Sequence, residues 1–279
     1  MVSFYKMKLK TIILLALFIF TDSIAHANIS VTCSLFPVCD FTRSITGNLA
    51  DVKLLLPPGT EPHEYEPSPR DIMSLNDSDV FIFTGTEMES WAVKLSQSLS
   101  NTRIIDASDG IILTDNDPHI WLDLSLAQKM VMNILRGLCE ADPGNSEEYK
   151  RNAGRLCAGL SEIDGKFSAM RKTRALIFAD EFSAGYFVRR YGFDYVSAYE
   201  GENEPSVRKM AEVIRYIRQH KARYIFADIG PVSSVAREIS SQTGAEILTF
   251  GTGHIVPEGM TFLQMMTDNF EHISEAMND

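Results

Sequence analysis

The stretch NSEEYKRNAGRLCAGLSEIDGKFSAM, residues 145–170, decides the architecture. Tyr149, Ala153, Leu156, Leu160, Ile163, Phe167 and Met170 step along it by four and three, one apolar stripe on a helix of roughly seven turns. Asp142-Pro143-Gly144 breaks the chain before it, and Asn145 with Glu148 reads as an N-cap and capping box. Gly154, Gly159 and Gly165 weaken such a helix by about 1 kcal/mol each relative to Ala, so packing must hold it.

Outward from this helix, both flanks carry the same rhythm. On the N-terminal side, Ile29–Leu35, Val52–Leu56, Asp79–Thr84 and Arg103–Ile105 read as buried strands, with helical patterns around 40–47, 69–77, 87–98 and 123–140. On the C-terminal side, strands near Ala175–Ala179, Asp194–Ser197, Arg223–Ala227 and Glu246–Thr249 precede helices near 183–191, 205–219, 233–242 and 258–277. Alternation of strand and helix implies parallel sheets covered on both faces. The expected fold is α/β: two lobes, each a parallel sheet flanked by helices, joined by one long rigid helix. The boundaries are 28–144 for the N-terminal lobe, 145–173 for the linking helix and 174–279 for the C-terminal lobe.

Residues 1–27 read as a signal peptide. Lys6, Lys8 and Lys10 precede an apolar run from Thr11 to Phe20, and Ala25-His26-Ala27 supplies small residues for cleavage. The run is about half the ~20 apolar residues that a spanning helix requires. Cleavage after Ala27 leaves 252 residues with a formal charge of -13. Cys33 follows Ser30-Val31-Thr32 beyond the cleavage site, which is not a lipobox context, so the expected product is a soluble, monomeric periplasmic protein. Its acidity repels phosphate backbones and argues against nucleic acid as a partner.

Four cysteines in an oxidising compartment invite pairing. Cys33 and Cys39 are six apart across Pro37, which leaves open either a small-loop disulfide or two thiols. Cys139 and Cys157 sit at unequal distances from the Pro143-Gly144 turn, which disfavours pairing, and no C-x-x-C spacing supports a cysteine metal site.

Beyond residue 27 there are five histidines. His220 ends a helix and His272 lies on the last amphipathic helix, both ordinary structural places. His63 sits in Pro57-Pro58-Gly59-Thr60-Glu61-Pro62-His63, a proline-stiffened loop after a strand. His119 follows Pro118 between a strand and a helix start. In the other half, Asp180-Glu181 and Gly251-Thr252-Gly253-His254 also follow strands. Parallel sheets take ligands outside the carboxyl ends of their strands, so these four groups would converge in a cleft between the lobes. Imidazoles plus a carboxylate suit zinc, manganese or iron, and disfavour calcium.

The run from Leu55 to Pro67, the run Asp117-Pro118-His119-Ile120-Trp121-Leu122-Asp123 and the run Glu181–Phe187 resemble the ligand loops of the TroA-like zinc/manganese family of ABC-transporter solute-binding proteins. Glu204-Pro205-Ser206 and Thr261–Met266 are similar in place and order. The resemblance implies a two-lobed rigid-helix fold, capture of one divalent transition metal ion as transported ligand, and delivery to a membrane permease. It implies His63, His119 and Glu181 as metal ligands. The family's fourth ligand is often an Asp, and the position that aligns here is Gly251; His254, just past it, is the expected fourth ligand, with Asp228 as the alternative. Residues 64–118 contain no histidine, unlike the His-rich loop of many zinc members.

Two rival functions are weighed against this. A siderophore- or corrinoid-like chelate on the same scaffold would need a wide aromatic or Arg-lined cleft, whereas Trp91 and Trp121 fit structural places at helix starts. A periplasmic metallohydrolase would need an open coordination position and a general base, and neither H-E-x-x-H nor G-x-S-x-G occurs, so the chain is not expected to be an enzyme.

Overall fold

The computed structural model describes residues 28–57, 60, 62, 65–114, 117–180, 182–199 and 205–278. Residues 1–27, read above as a signal peptide, and His63 and Glu181 lie outside the described residues. Among those described, no helix is long and apolar enough to cross a membrane.

Eight parallel strands form two four-stranded sheets. The first, in order β2-β1-β3-β4, holds β1 (Ile29–Cys33), β2 (Ala50–Leu54), β3 (Val80–Phe83) and β4 (Arg103–Asp106). The second, in order β6-β5-β7-β8, holds β5 (Leu176–Phe178), β6 (Tyr195–Ser197), β7 (Tyr224–Ala227) and β8 (Glu246–Thr249). Both orders reverse direction beside their first strand, and a crevice at the carboxyl ends is the usual ligand address of such sheets. The fully buried Val80–Phe83 and Tyr224–Ala227 have no polar alternation because helices cover both faces.

The helices are α1 (Phe36–Thr46), α2 (Pro69–Asn76), α3 (Ser90–Ser96), α4 (Leu124–Ala141), α5 (Ser146–Ala169), α6 (Gly185–Tyr191), α7 (Val207–His220), α8 (Ser234–Thr243) and α9 (Phe262–Asn278). Local chemistry sets their starts. Ser68 and Asp71 form a reciprocal capping box on α2, and Asp123 accepts from the Ser125 and Leu126 amides at α4. Helix α1 begins four residues before the expected position, because Pro37 in its first turn needs no N–H partner there. At α5 the expected cap does not form. Asn145 instead donates to Asp142 Oδ2 at 2.7 Å, an oxygen that also accepts from Tyr149 at 2.6 Å, and Glu148 pairs with Arg151 and Arg155.

Helix α5 buries Tyr149, Ala153, Leu156, Leu160, Ile163 and Phe167. A Cβ on Gly159 would stand 3.0 Å from Leu263 Cδ1, so one of the three glycines serves close contact with α9. Phe167, at the far end of α5, packs within 4.9 Å of Phe187, 5.0 Å of Tyr191 and 5.4 Å of Phe270. One apolar core therefore runs from Val31 and Phe41 through Trp121 and Leu160 to Phe226, Phe250 and Met265, spanning both sheets. A smaller core lies beneath α7 and α8 and another beneath α2 and α3.

All four cysteines are thiols in the structure. Cys139 and Cys157 are half-buried, while Cys33 and Cys39 are fully buried. His220 stacks on Tyr216 at 4.1 Å, and the Nδ1 of His272 lies 2.8 Å from the Thr249 carbonyl, the structural places expected of both.

Candidate metal centre

His119 follows the loop that leaves β4, and opens a short 3-10 turn at Ile120–Leu122. Its ring is 5% exposed. The Asp117 carboxylate accepts from the His119 backbone N–H at 3.0 Å and stands 2.8 Å from Nδ1. Burial pushes the Asp117 carboxyl up, but the His119 hydrogen bonds and charge, joined by Arg189 at 3.2 Å, outweigh it and hold it below the usual range. An ionised carboxylate only accepts, so Nδ1 carries a proton and Nε2 is the nitrogen turned toward the other half.

It faces His254, whose Nε2 stands 2.9 Å from the Nε2 of His119. His254 reaches this point from the loop after β8. Gly253 adopts φ +92, and a Cβ there would lie 3.2 Å from Trp121 Nε1 and 3.3 Å from Pro37 Cγ, so the loop's backbone passes where a side chain would crowd. The Trp121 Nε1–H donates to the Thr252 carbonyl at 2.7 Å, tying the two halves directly. Its indole also lies edge-on to both imidazoles, at 5.4 and 6.4 Å between centroids.

Asp228 holds the other side of this loop. Its Oδ1 accepts from the amides of Ile229 at 2.7 Å and Thr252 at 3.0 Å, and its Oδ2 accepts from the Thr252 hydroxyl. Burial pushes its carboxyl up to about 6 against those hydrogen bonds. Both oxygens are thus engaged with the loop. Position 251 has no room for a ligating side chain: a Cβ on Gly251 would stand 2.5 Å from Met265 Cγ and 2.7 Å from Ile229 Cδ1.

The structure brings His119 and His254 together, and seats Asp228 behind the loop that carries His254. His63 and Glu181 fall outside the described residues, among which no three metal-binding side chains cluster. Tetrahedral zinc at ~2.05 Å from each nitrogen separates two ligating nitrogens by roughly 3.3 Å. The two rings would part by a few tenths of an ångström to share an ion, which would replace the proton between them. Three participants were not singled out from the sequence: Asp117 as the orienting acceptor, the Trp121–Thr252 tie and the Asp228–Thr252 brace. Asp117 two residues before a loop histidine was the one visible signal.

Two parallel-sheet lobes sharing a long helix, with paired imidazoles where their strand ends meet, define a two-lobed solute-binding protein. The profile of the family described as zinc-uptake complex component A, periplasmic, matches residues 31–276, and the chain belongs to that family. It is 28% identical to the high-affinity zinc uptake system protein ZnuA of Bacillus subtilis (strain 168), covering 88% of this chain and 87% of that protein. It is also 28% identical to the zinc-binding lipoprotein AdcA of Streptococcus pneumoniae (strain R6), over 90% of this chain but only 56% of AdcA, so it spans about half of that relative. The crystal structure of the Zn(II)-bound ZnuA-like domain of Streptococcus pneumoniae AdcA superposes with a TM-score of 0.79 at 25% identity, covering 91% of this chain and all of that domain.

Proposed function

We propose that this protein captures one divalent transition metal ion outside the cytoplasm and delivers it to the membrane permease of an ABC importer. The ligand set is His63, His119, Glu181 and His254. Zinc is the leading cargo, because the family and its relatives are described by zinc uptake and zinc binding, with manganese and iron as competitors for the same donors. Residues 28–144 and 174–279 act as the two jaws, 145–173 as the strut, and 1–27 as the cleaved export signal without a lipid anchor. The carrying observation is the His119–His254 pair, contributed by opposite halves and backed by Asp117.

Asp228 serves as a brace for the loop, because a ligand role would break its bonds to Thr252 and Ile229. A large chelate fits this reading poorly: the buried Trp121 is bonded to Thr252, and beside them Gly253 has Trp121 and Pro37 crowding the place of a Cβ. No hydrolytic step is assigned to the site. Isothermal titration of metal-free protein with zinc, and separately with manganese, tests the proposal. One equivalent bound at high affinity, lost in both His119→Ala and His254→Ala, is the expected result; unchanged binding in both variants would remove the site.

A further inference from the structure

Cys33 closes β1, and Cys39 lies in the opening turns of α1, its N–H bonded to the Leu35 carbonyl at 3.0 Å. The tight turn through Ser34 and Leu35 folds the helix back over the strand end. It places the two side chains in the same core across that turn, both 0% exposed and close enough for each thiol to alter the ionisation of the other. This pair takes no part in the metal centre, yet the segment between its members touches that centre. Pro37 lies 3.3 Å from where a Cβ on Gly253 would be, and Asp40, next to Cys39, accepts the Phe262 N–H at 2.9 Å. The turn enclosed by the two cysteines is therefore a bearing surface for the loop that carries His254.

We infer that Cys33 and Cys39 form a disulfide that staples the β1–α1 turn against the His254 loop. The oxidant is a disulfide, of the class of glutathione disulfide or an oxidised dithiol protein. One cysteine thiolate attacks it, releasing one thiol and leaving a mixed disulfide; the second cysteine attacks that sulfur and releases the other thiol. Two protein thiols are oxidised and one external disulfide is reduced to two thiols. Because both sulfurs are buried in the folded chain, the exchange precedes the final packing of α1 on β1. In the cell the reaction depends on the export proposed above; its chemistry does not.

The test separates the two. The chain from residue 28 to 279 is reduced in denaturant, refolded with a mixture of reduced and oxidised glutathione, and alkylated after renewed denaturation. Two alkylated thiols, with a Cys33–Cys39 cross-linked peptide on digestion, are expected. The oxidised protein should melt about 5 °C above the reduced one, and Cys39→Ser should leave three alkylated thiols and abolish that difference. Four alkylated thiols, or a bridge that uses Cys139 or Cys157, would overturn the inference. The same alkylation on protein taken from cells reports on export: a bridge made in the tube but missing in cells supports the pairing and counts against the exported location.

Discussion

His119 and His254, 135 positions apart in the chain, face each other Nε2 to Nε2 at 2.9 Å across the meeting point of the two sheets. At that distance one of the two Nε2 atoms carries the hydrogen and the other accepts it. Metal capture needs a lone pair from both Nε2 atoms, so the hydrogen between them has to leave that gap. Substituting either ring with Ala should weaken zinc binding tenfold or more, while Asp228→Asn, which keeps a hydrogen-bonding group beside Thr252, should weaken it less. Calorimetry on the three variants decides the order, and the reverse order would make Asp228 the ligand.

Asp117→Ala should lower zinc affinity by about 10- to 100-fold without removing a ligand, since the ring it orients would lose its fixed tautomer. The check is competition against a chelator of known affinity. An Asp117→Ala protein that binds like the wild type would show that the ring is held by packing alone.

Trp121→Phe deletes the bond to the Thr252 carbonyl while keeping most of the buried ring. The expected loss is about 1 kcal/mol of stability, a fall in Tm of roughly 2–4 °C. Stopped-flow release of zinc to a chelator should also speed up, because the His254 loop loses its tie to the opposite half. A slower or unchanged release rate would assign the bond to folding only.

Glu89 sets a pH dependence that does not involve the metal ligands. Full burial pushes its carboxyl up to about 7, opposed by the Thr84 backbone N–H, which donates to Oε2 at 2.7 Å. An unfolded Glu titrates near 4.3, so between those values the folded chain holds a proton that the unfolded chain lacks. The resulting stability, on the order of 3 kcal/mol, is full below about pH 4 and lost as pH rises through about 7. Glu89→Gln cannot ionise, so the melting temperature of the variant relative to wild type should climb from pH 5 to pH 8. A constant difference across that range would refute the assignment.

Much of this was legible in sequence because periodicity is local. The stripe from Tyr149 to Phe167 and the eight strands lie where their residue patterns put them, and His119 and His254 were singled out by their places after strands. The misreadings are local competitions. Asn145 has a nearer partner in Asp142 than the helix amides, and Pro37 permits α1 to start early. What pattern could not supply is approach between distant segments: the Trp121–Thr252 bond joins residues 131 apart, and the Asp228–Thr252 brace exists only once β7 and β8 lie side by side. Gly251 and Gly253 were visible as glycines, but the crowding by Met265, Ile229, Trp121 and Pro37 that demands them is tertiary.

The apolar core that passes without a break beneath both sheets sets how cargo can leave. Swinging one half away from the other would part Phe41 from Phe262, whose buried rings pack at 4.9 Å, and expose both to water at about 1.5–3 kcal/mol for each ring. Thermal motion does not meet that cost often, so the spacing between the jaws is preset and an ion either matches it or is refused. Unloading then falls to the two loop segments that carry His119 and His254, and a pull on the Thr252–His254 strip does enough. Such a carrier works as a fixed gauge with a removable latch, and in the function proposed above the permease needs to lift only the latch.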